Sequence, residues 1–225
     1  LAQKHNLKVL EDASHAHGGT YNDARTGSLG DAGAFSFYPA KILGAYGDAG
    51  GIVTNDDQLN ERIRVLRYMG QEFKHTHQVI GYQQRLDPIQ AAILGVKLKH
   101  LEDWISKRRE IAELYNELLN DLPIKLPKEA DWARHVYYMY TIHSWERDAL
   151  SDFLEIQGIG TQKIYASPVP MQPCYRYLEY TVDDIPVSSQ YADLLLCLPI
   201  FPELTHNEVR TVSDAIHRFY DEAEK

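Results

Sequence analysis

The stretch Gly30-Asp31-Ala32-Gly33-Ala34-Phe35-Ser36-Phe37-Tyr38-Pro39-Ala40-Lys41-Ile42-Leu43-Gly44-Ala45-Tyr46-Gly47-Asp48-Ala49-Gly50-Gly51 carries most of the information in the chain. Ala32 to Phe37 reads as a short buried strand. It runs directly into a loop of small residues holding one lysine, Lys41. A lysine that must form an imine needs a nearly dry site and little side-chain bulk around it, so that a planar ring can approach the backbone. Ser36 ends the strand, where its hydroxyl is placed to donate to a phosphate. No GxxxxGK[ST] phosphate loop is present, and the glycines taken singly mark only tight turns.

Upstream, Leu7 to Leu10 reads as a second strand, with Glu11-Asp12 at its carboxyl end. That is the edge where ligands sit in open α/β sheets. Residues 1–6 read as the tail of a helix stopped at Asn6, residues 13–31 as a loop, and Gly51 to Thr54 as a third strand. Short apolar strands between loops and helices point to a sheet covered on both faces. Asn55-Asp56-Asp57 opens a helix to about Met69, closed by Gly70, with Leu59, Ile63 and Leu66 at helical spacing. In Asp87-Pro88-Ile89-Gln90, Pro suits the first helical position and Gln the reciprocal capping position. A long helical region follows to about Leu119, bent or broken near His100. The last hundred residues alternate, roughly as a small domain would: a strand over 135–143, a helix from Arg147 ended by Gly158, and a strand over 160–165. A Pro-rich loop over 166–186 follows, then helices near 188–196 and 206–222, the last started by Thr205.

The 225 residues carry 23 Lys+Arg against 32 Asp+Glu, a net charge of −9, with 44% hydrophobic and 24% charged residues. That is enough apolar surface for a sizeable core, which excludes disorder as the dominant state. An acidic balance repels a phosphate backbone, so a nucleic-acid partner is not expected. The densest basic patch, Ile105-Ser106-Lys107-Arg108-Arg109, reads as the solvated face of a helix. No apolar run approaches the roughly 20 residues of a membrane span, so no membrane partner is expected. Cys174 and Cys197 lack metal-ligand spacing and are too few for a disulfide scaffold, so a reducing, cytoplasmic setting is the expectation. His15/His17 and His75/His77 are not completed by Cys or carboxylate clusters, and no metal site is expected. The run Tyr137-Tyr138-Met139-Tyr140 reads as sheet packing. The chain opens at Leu1 in mid-helix, and its first methionine is Met69. It therefore reads as the C-terminal portion of a longer protein.

The ordered set of motifs is more specific than any one of them. Glu11-Asp12-Ala13-Ser14-His15-Ala16-His17-Gly18, Gly27-Ser28-Leu29-Gly30-Asp31, Phe35 through Lys41 and Leu43 through Gly50 closely resemble the nucleotide-sugar aminotransferases. These are pyridoxal-phosphate enzymes of the aspartate-aminotransferase fold type. The resemblance continues through Gly81-Tyr82-Gln83-Gln84-Arg85-Leu86-Asp87, Gln90-Ala91-Ala92, Gly158-Ile159-Gly160-Thr161, Gln172-Pro173 and Leu198-Pro199, and covers essentially the whole chain. It implies an α/β fold: part of a three-layer α/β/α large domain over 1–86, a bridging helical region over 87–120 and a small α+β domain over 121–225.

By the same resemblance Lys41 is the catalytic lysine that holds pyridoxal 5'-phosphate covalently and then moves protons on the substrate. Asp12 faces the pyridine nitrogen, and an adjacent carboxylate favours its protonated form. His15 stands where the ring hydroxyl is bound, and Ser36 contacts the phosphate. Gln83 stands where Asn usually reaches the phosphate of the neighbouring subunit's cofactor. Tyr165 and His135 fall on the substrate side. A homodimer, a nucleotide-linked keto sugar and an amino-acid donor, glutamate in much of the family, are implied as partners. Two polar positions differ from the family: Ile164-Tyr165 stands in place of His-Tyr, and Pro170 in place of a later His. A relative that dehydrates sugars commonly has His for the lysine, and Lys41 argues against that reading. The remaining alternative is a catalytically incomplete remnant that folds and associates but does no chemistry.

Overall fold

The computed structural model describes the backbone of residues 1–223. The chain is mixed α/β. In order it forms α1 (Ala2–His5), β1 (Leu10–Asp12), β2 (Thr20–Tyr21), β3 (Ala24–Arg25), β4 (Ala32–Ser36), β5 (Gly50–Val53), α2 (Asp57–Arg67), β6 (Gln71–Phe73) and β7 (Thr76–His77). Then come α3 (Pro88–Lys97), α4 (Leu101–Leu118), β8 (Ala133–Arg134), β9 (Tyr140–His143), α5 (Arg147–Ile156), α6 (Pro186–Ala192), β10 (Leu195–Leu198) and α7 (His206–Ala223). Contacts divide it into two units. One holds Leu1–Ile105 and Glu129–Tyr138, the other Ser106–Lys128 and the chain from Met139 onward.

The first unit is organised by the sheet β1-β4-β5. β1 and β4 run parallel, with Leu10 opposite Ala32 and Asp12 opposite Ala34. β5 returns antiparallel, with Gly50 opposite Ser36. Both parallel strands therefore end on one edge, and the loop from Phe37 to Ala49 leaves and re-enters the sheet there. The register is locked locally. The Glu11 carboxylate accepts from Gly27 N at 2.6 Å and Leu29 N at 3.1 Å. A Cβ on Gly33 would lie 2.4 Å from the Gly27 carbonyl oxygen, so only glycine fits. Among the described residues β1 and β5 each pair only with β4, and Leu10, Ile52 and Val53 on these strands are exposed.

The glycine-rich loop is packed, not slack. Ile42, Leu43 and Ala45 are buried against Leu94, Leu101, Ile105 and Val136. Each fully buried Leu or Ile contributes about 1.5–3 kcal/mol. A Cβ on Gly44 would sit 2.4 Å from the Pro39 carbonyl oxygen. Gln90 was expected to cap α3, but its Oε1 instead accepts from Tyr46 N at 2.8 Å. The loop amide outcompetes the helix end for this acceptor, and Asp87 makes no side-chain cap bond. Lys97, on the same helix, donates from Nζ to the Gly44 carbonyl. The expected break near His100 is a 3-10 turn over Leu98–His100. Glu129–Tyr138 returns to this unit because β8 pairs with β2 and Val136 enters its core.

The second unit is built on the antiparallel pair β9–β10. Its buried centre includes Tyr115, Leu119, Ile142, Leu150, Leu196 and Ile216. The Tyr115 and Tyr140 rings stack with centroids 4.9 Å apart. Tyr115 donates to the Pro199 carbonyl at 3.0 Å, and Tyr140 to Asn116 Oδ1 at 2.7 Å. Thr205 caps α7 reciprocally: its hydroxyl accepts from Glu208 N at 3.3 Å, and the Glu208 carboxylate accepts from Thr205 N at 2.8 Å.

Several sequence expectations need correction. The first strand starts at Leu10, so Leu7 to Val9 precede it. The strand expected over 135–143 begins only at Tyr140, because Tyr137 adopts a left-handed φ of 45° that no strand accommodates. The strand expected over 160–165 reduces to one bridge, Gln162 with Cys197. The helix expected near 188–196 ends at Ala192, and the continuous apolar run Leu194 to Leu198 supplies β10. Residues 13–31, 70–84 and 166–186, expected as loops, contain the hairpins β2–β3 and β6–β7 and 3-10 turns over Val169–Met171 and Pro173–Leu178.

Ile105 packs beneath the Lys41 loop and contacts the Gly18 turn. We expect Ile105→Ala to lower the unfolding free energy of the protein by about 2–5 kcal/mol, and Ile105→Val by about 0.5–1.5 kcal/mol. Denaturant unfolding measures both; a loss well under 1 kcal/mol for the alanine variant would contradict the packing described.

Candidate active site

The carboxyl edge of the sheet collects the titratable groups. Asp12 is the last residue of β1. One of its oxygens accepts from Ser14 N at 3.0 Å and also from the Ser14 hydroxyl. These bonds hold the carboxyl below its usual range, and the neighbouring His15 and Lys41 charges act the same way. Lys41 lies in the packed loop, just before buried Ile42. Burial lowers its ammonium pKa, and the Asp12 carboxylate partly restores it. His15 is lowered by burial and by the Lys41 charge, against the pull of Asp12. Tyr138 joins them: its ring centroid is 4.6 Å from that of His15 and 4.8 Å from Lys41 Nζ. Asp12, His15, Lys41 and Tyr138 thus share one neighbourhood within the first unit.

The turn after Asp12 is held from both sides. Ala13 N donates to the Ala34 carbonyl at 2.9 Å. The Gly18 carbonyl accepts from Arg25 Nη1 at 2.7 Å and Arg134 Nη1 at 3.2 Å. Both guanidinium groups pair with Glu102, at 3.0 and 2.9 Å. His17 is buried against Phe35 and Phe37, with ring centroids 5.3 and 5.7 Å away. Neither of its ring nitrogens meets hydrogen-bond geometry with a described group, although the Ser36 backbone lies near enough to favour the charged form slightly. Burial dominates and pushes its pKa down to about 4, so the ring is neutral at pH 7.

The other sequence-derived candidates are placed less centrally. Ser36 lies at the end of β4, where its Oγ accepts from Tyr38 N at 3.3 Å and shapes the turn into the loop. Gln83 is exposed and bridges Tyr68; no described contact links it to Lys41. His135 belongs to the first unit, and its Nδ1 accepts from Tyr137 N at 2.9 Å. Tyr165 lies in the second unit and is largely exposed. Sequence reasoning missed Ser14, His17 and Tyr138. Ser14 was findable, since a serine two residues after an aspartate at a strand end is a common turn pattern. Tyr138 was not separable from its aromatic neighbours until the Tyr137 backbone turned it out of β9. Among the described residues no group of three or more His, Cys, Asp or Glu converges as a metal site.

The arrangement has a definite chemistry. An amine made less basic by burial is a better nucleophile toward a carbonyl at neutral pH. A carboxylate kept anionic beside it favours a cationic partner.

Two titrations test these electrostatics. The Lys41 amine should titrate below 10.5, and Asp12→Asn should lower it further because the opposing charge is removed. NMR of reductively 13C-methylated protein reads this directly, and a rise in Asp12→Asn contradicts it. His17 is protonated more readily when unfolded, so it makes stability fall as pH drops from 6.5 toward about 4. His17→Phe should flatten that part of the profile of unfolding midpoint against pH; an unchanged slope would assign it elsewhere.

Comparison with known proteins gives the same context. The chain is 44% identical over 223 residues to a pleiotropic regulatory protein from Geobacillus stearothermophilus, covering 98% of this chain and 60% of that one. It is 43% identical over 219 residues to dTDP-3-amino-3,6-dideoxy-alpha-D-galactopyranose transaminase from Aneurinibacillus thermoaerophilus, covering 97% and 60%. Among solved structures, S. venezuelae DesV in complex with a ketimine intermediate matches with a TM-score of 0.94 and 38% identity, covering 97% of this chain and 59% of that one. The chain thus spans about 60% of the length of these relatives. Residues 1–217 match the family model of the DegT/DnrJ/EryC1/StrS aminotransferases, and the chain belongs to that family.

Proposed function

We propose that the chain is the lysine-bearing portion of a pyridoxal-phosphate-dependent aminotransferase. Its reaction would convert a nucleotide-linked keto sugar to the amino sugar, with an amino acid, glutamate, as donor. The observation that carries this reading is the Lys41 amine, its pKa lowered by burial, beside the Asp12 carboxylate held anionic by Ser14. That donor set fits the cofactor: a nucleophilic amine for its aldehyde, an anion for its ring nitrogen and an imidazole for its ring hydroxyl. Lys41, Asp12 and His15 would hold those three groups, and Ser36 its phosphate. Gln83 would serve the phosphate of a partner subunit's cofactor.

When bound, the cofactor supplies an electron sink for a carbanion next to nitrogen. The chain supplies the rest. Asp12 keeps the proton on the ring nitrogen, because its charge favours the cation. Lys41 Nζ takes a proton from the substrate carbon and returns it, a task suited to an amine less basic than an exposed lysine. Tyr138 lies against both Lys41 and His15 and limits their contact with water. His135 and Tyr165 stand for the substrate side.

The substrate class is supported by the name of the Aneurinibacillus thermoaerophilus relative, a dTDP-sugar transaminase. On this reading the first unit is part of a three-layer α/β/α domain and the second is the small α+β domain. A homodimer is supported by Phe73, Ile80 and Tyr82, large apolar residues left exposed around the hairpin β6–β7. No helix among the described residues is long and apolar enough to cross a membrane.

The test uses recombinant protein loaded with pyridoxal phosphate. Borohydride reduction should fix the cofactor's mass to the peptide containing Lys41, and a nucleotide keto sugar with glutamate should yield the amino sugar. Lys41→Ala should abolish the fixation and lower turnover by at least about 10²-fold. Fixation at another lysine, or none at any cofactor concentration, would overturn the reading.

A further inference from the structure

The second unit holds a cavity of about 250 Å3 that shares no residue with the Lys41 cluster. Pro123, Lys125, His143, Trp145 and Tyr191 are among its walls, and no carboxylate lines it. Lys125 and His143 face each other across an antiparallel bridge, with Lys125 N donating to the His143 carbonyl at 3.0 Å and the reverse bond at 2.9 Å. Residues paired directly in this way project their side chains to the same face, so the ammonium and the imidazole stand together. Burial, and then the Lys125 charge, lower the His143 pKa, which leaves the ring neutral at pH 7.

Nδ1 of His143 is buried and has no hydrogen-bond partner. Such groups are rare in folded proteins and call for a partner from outside. The Tyr191 ring stands edge-on to His143 at 4.8 Å, and Trp145 is 73% exposed. An aromatic wall, one cation and one unmatched ring nitrogen form a ligand site of few, convergent polar groups.

We propose that this cavity binds a small aromatic monocarboxylate. The ligand's ring packs against Trp145 and Tyr191. One carboxylate oxygen meets the Lys125 ammonium, and the other accepts from Nδ1–H of His143. The volume suits a single ring, being smaller than the roughly 300–1,000 Å3 of pockets for drug-sized ligands. One cation compensates one negative charge, whereas a phosphate dianion would be left half-paired.

The experiment titrates the recombinant protein with sodium benzoate and, separately, with the neutral benzyl alcohol. NMR follows the histidine ring and tryptophan indole signals. Benzoate should shift His143 and Trp145 saturably, and benzyl alcohol should bind about tenfold more weakly. Lys125→Gln, a change at an exposed side chain, should cost benzoate about tenfold and leave benzyl alcohol unaffected. Trp145→Ala should weaken both ligands. Benzoate binding should persist in Lys41→Ala, which separates this site from the cofactor chemistry. No saturable shift up to the solubility limit, shifts outside the cavity, or equal affinity for the two ligands would overturn the proposal. So would undiminished benzoate binding in Lys125→Gln.

Discussion

The parallel pairing of β1 with β4 is the constraint on which the site depends. Asp12 opposite Ala34 puts the carboxyl ends of both strands on one edge. The Asp12 carboxylate and the start of the Lys41 loop then emerge side by side, although they are far apart in sequence. Side chains alternate across a strand, so a slip of one residue would exchange Glu11 and Asp12 between faces. Glu11 would lose Gly27 and Leu29, and Asp12 would leave its place beside Lys41. The close approach of Gly33 to Gly27 makes that slip costly, because a side chain at position 33 has no room in any register that keeps the turn. A structural carboxylate on one face thereby secures a chemical one on the other.

Within the edge, two opposed effects set the character of the amine. Burial disfavours the ammonium, and the Asp12 carboxylate favours it. The loop buries Lys41 because Ile42, Leu43 and Ala45 drag it against Leu94, Leu101 and Ile105. Packing and reactivity are therefore one property seen from two sides. Nearby His17 resolves the same contest differently. It has no carboxylate partner, burial wins outright, and it behaves as an aromatic spacer between Phe35 and Phe37.

Much of this was legible in the residues, and the gaps have physical causes. The strand–loop–lysine reading of Ala32 to Lys41 survives because a short apolar run followed by small residues has few other folds. The α7 start at Thr205 survives because a reciprocal cap is local chemistry. Gln90 failed because its acceptor was claimed by Tyr46, a residue distant in sequence whose approach no spacing rule reveals. The strand expected from His135 failed because aromatic composition says nothing of the left-handed turn at Tyr137. Leu194 to Leu198 was read as helix because a fully buried strand and a buried helix share the same unbroken apolar run. The convergence of Asp12, His15 and Lys41 rested on resemblance; alone, each was an ordinary surface residue. The cavity beside Trp145 left no trace in the sequence, since Lys125 and His143 meet only through strand pairing.

Helix α3 deserves a mechanical reading. Gln90 grips the loop at Tyr46 and Lys97 grips it at Gly44, two anchor points two turns apart on one rigid rod. The helix is a splint for the reactive lysine. Any tilt of that rod is transmitted to the amine's surroundings without passing through the sheet. Laboratory evolution aimed at retuning the amine would then find useful substitutions along α3 and in the segment leading into it, well away from the reacting atoms.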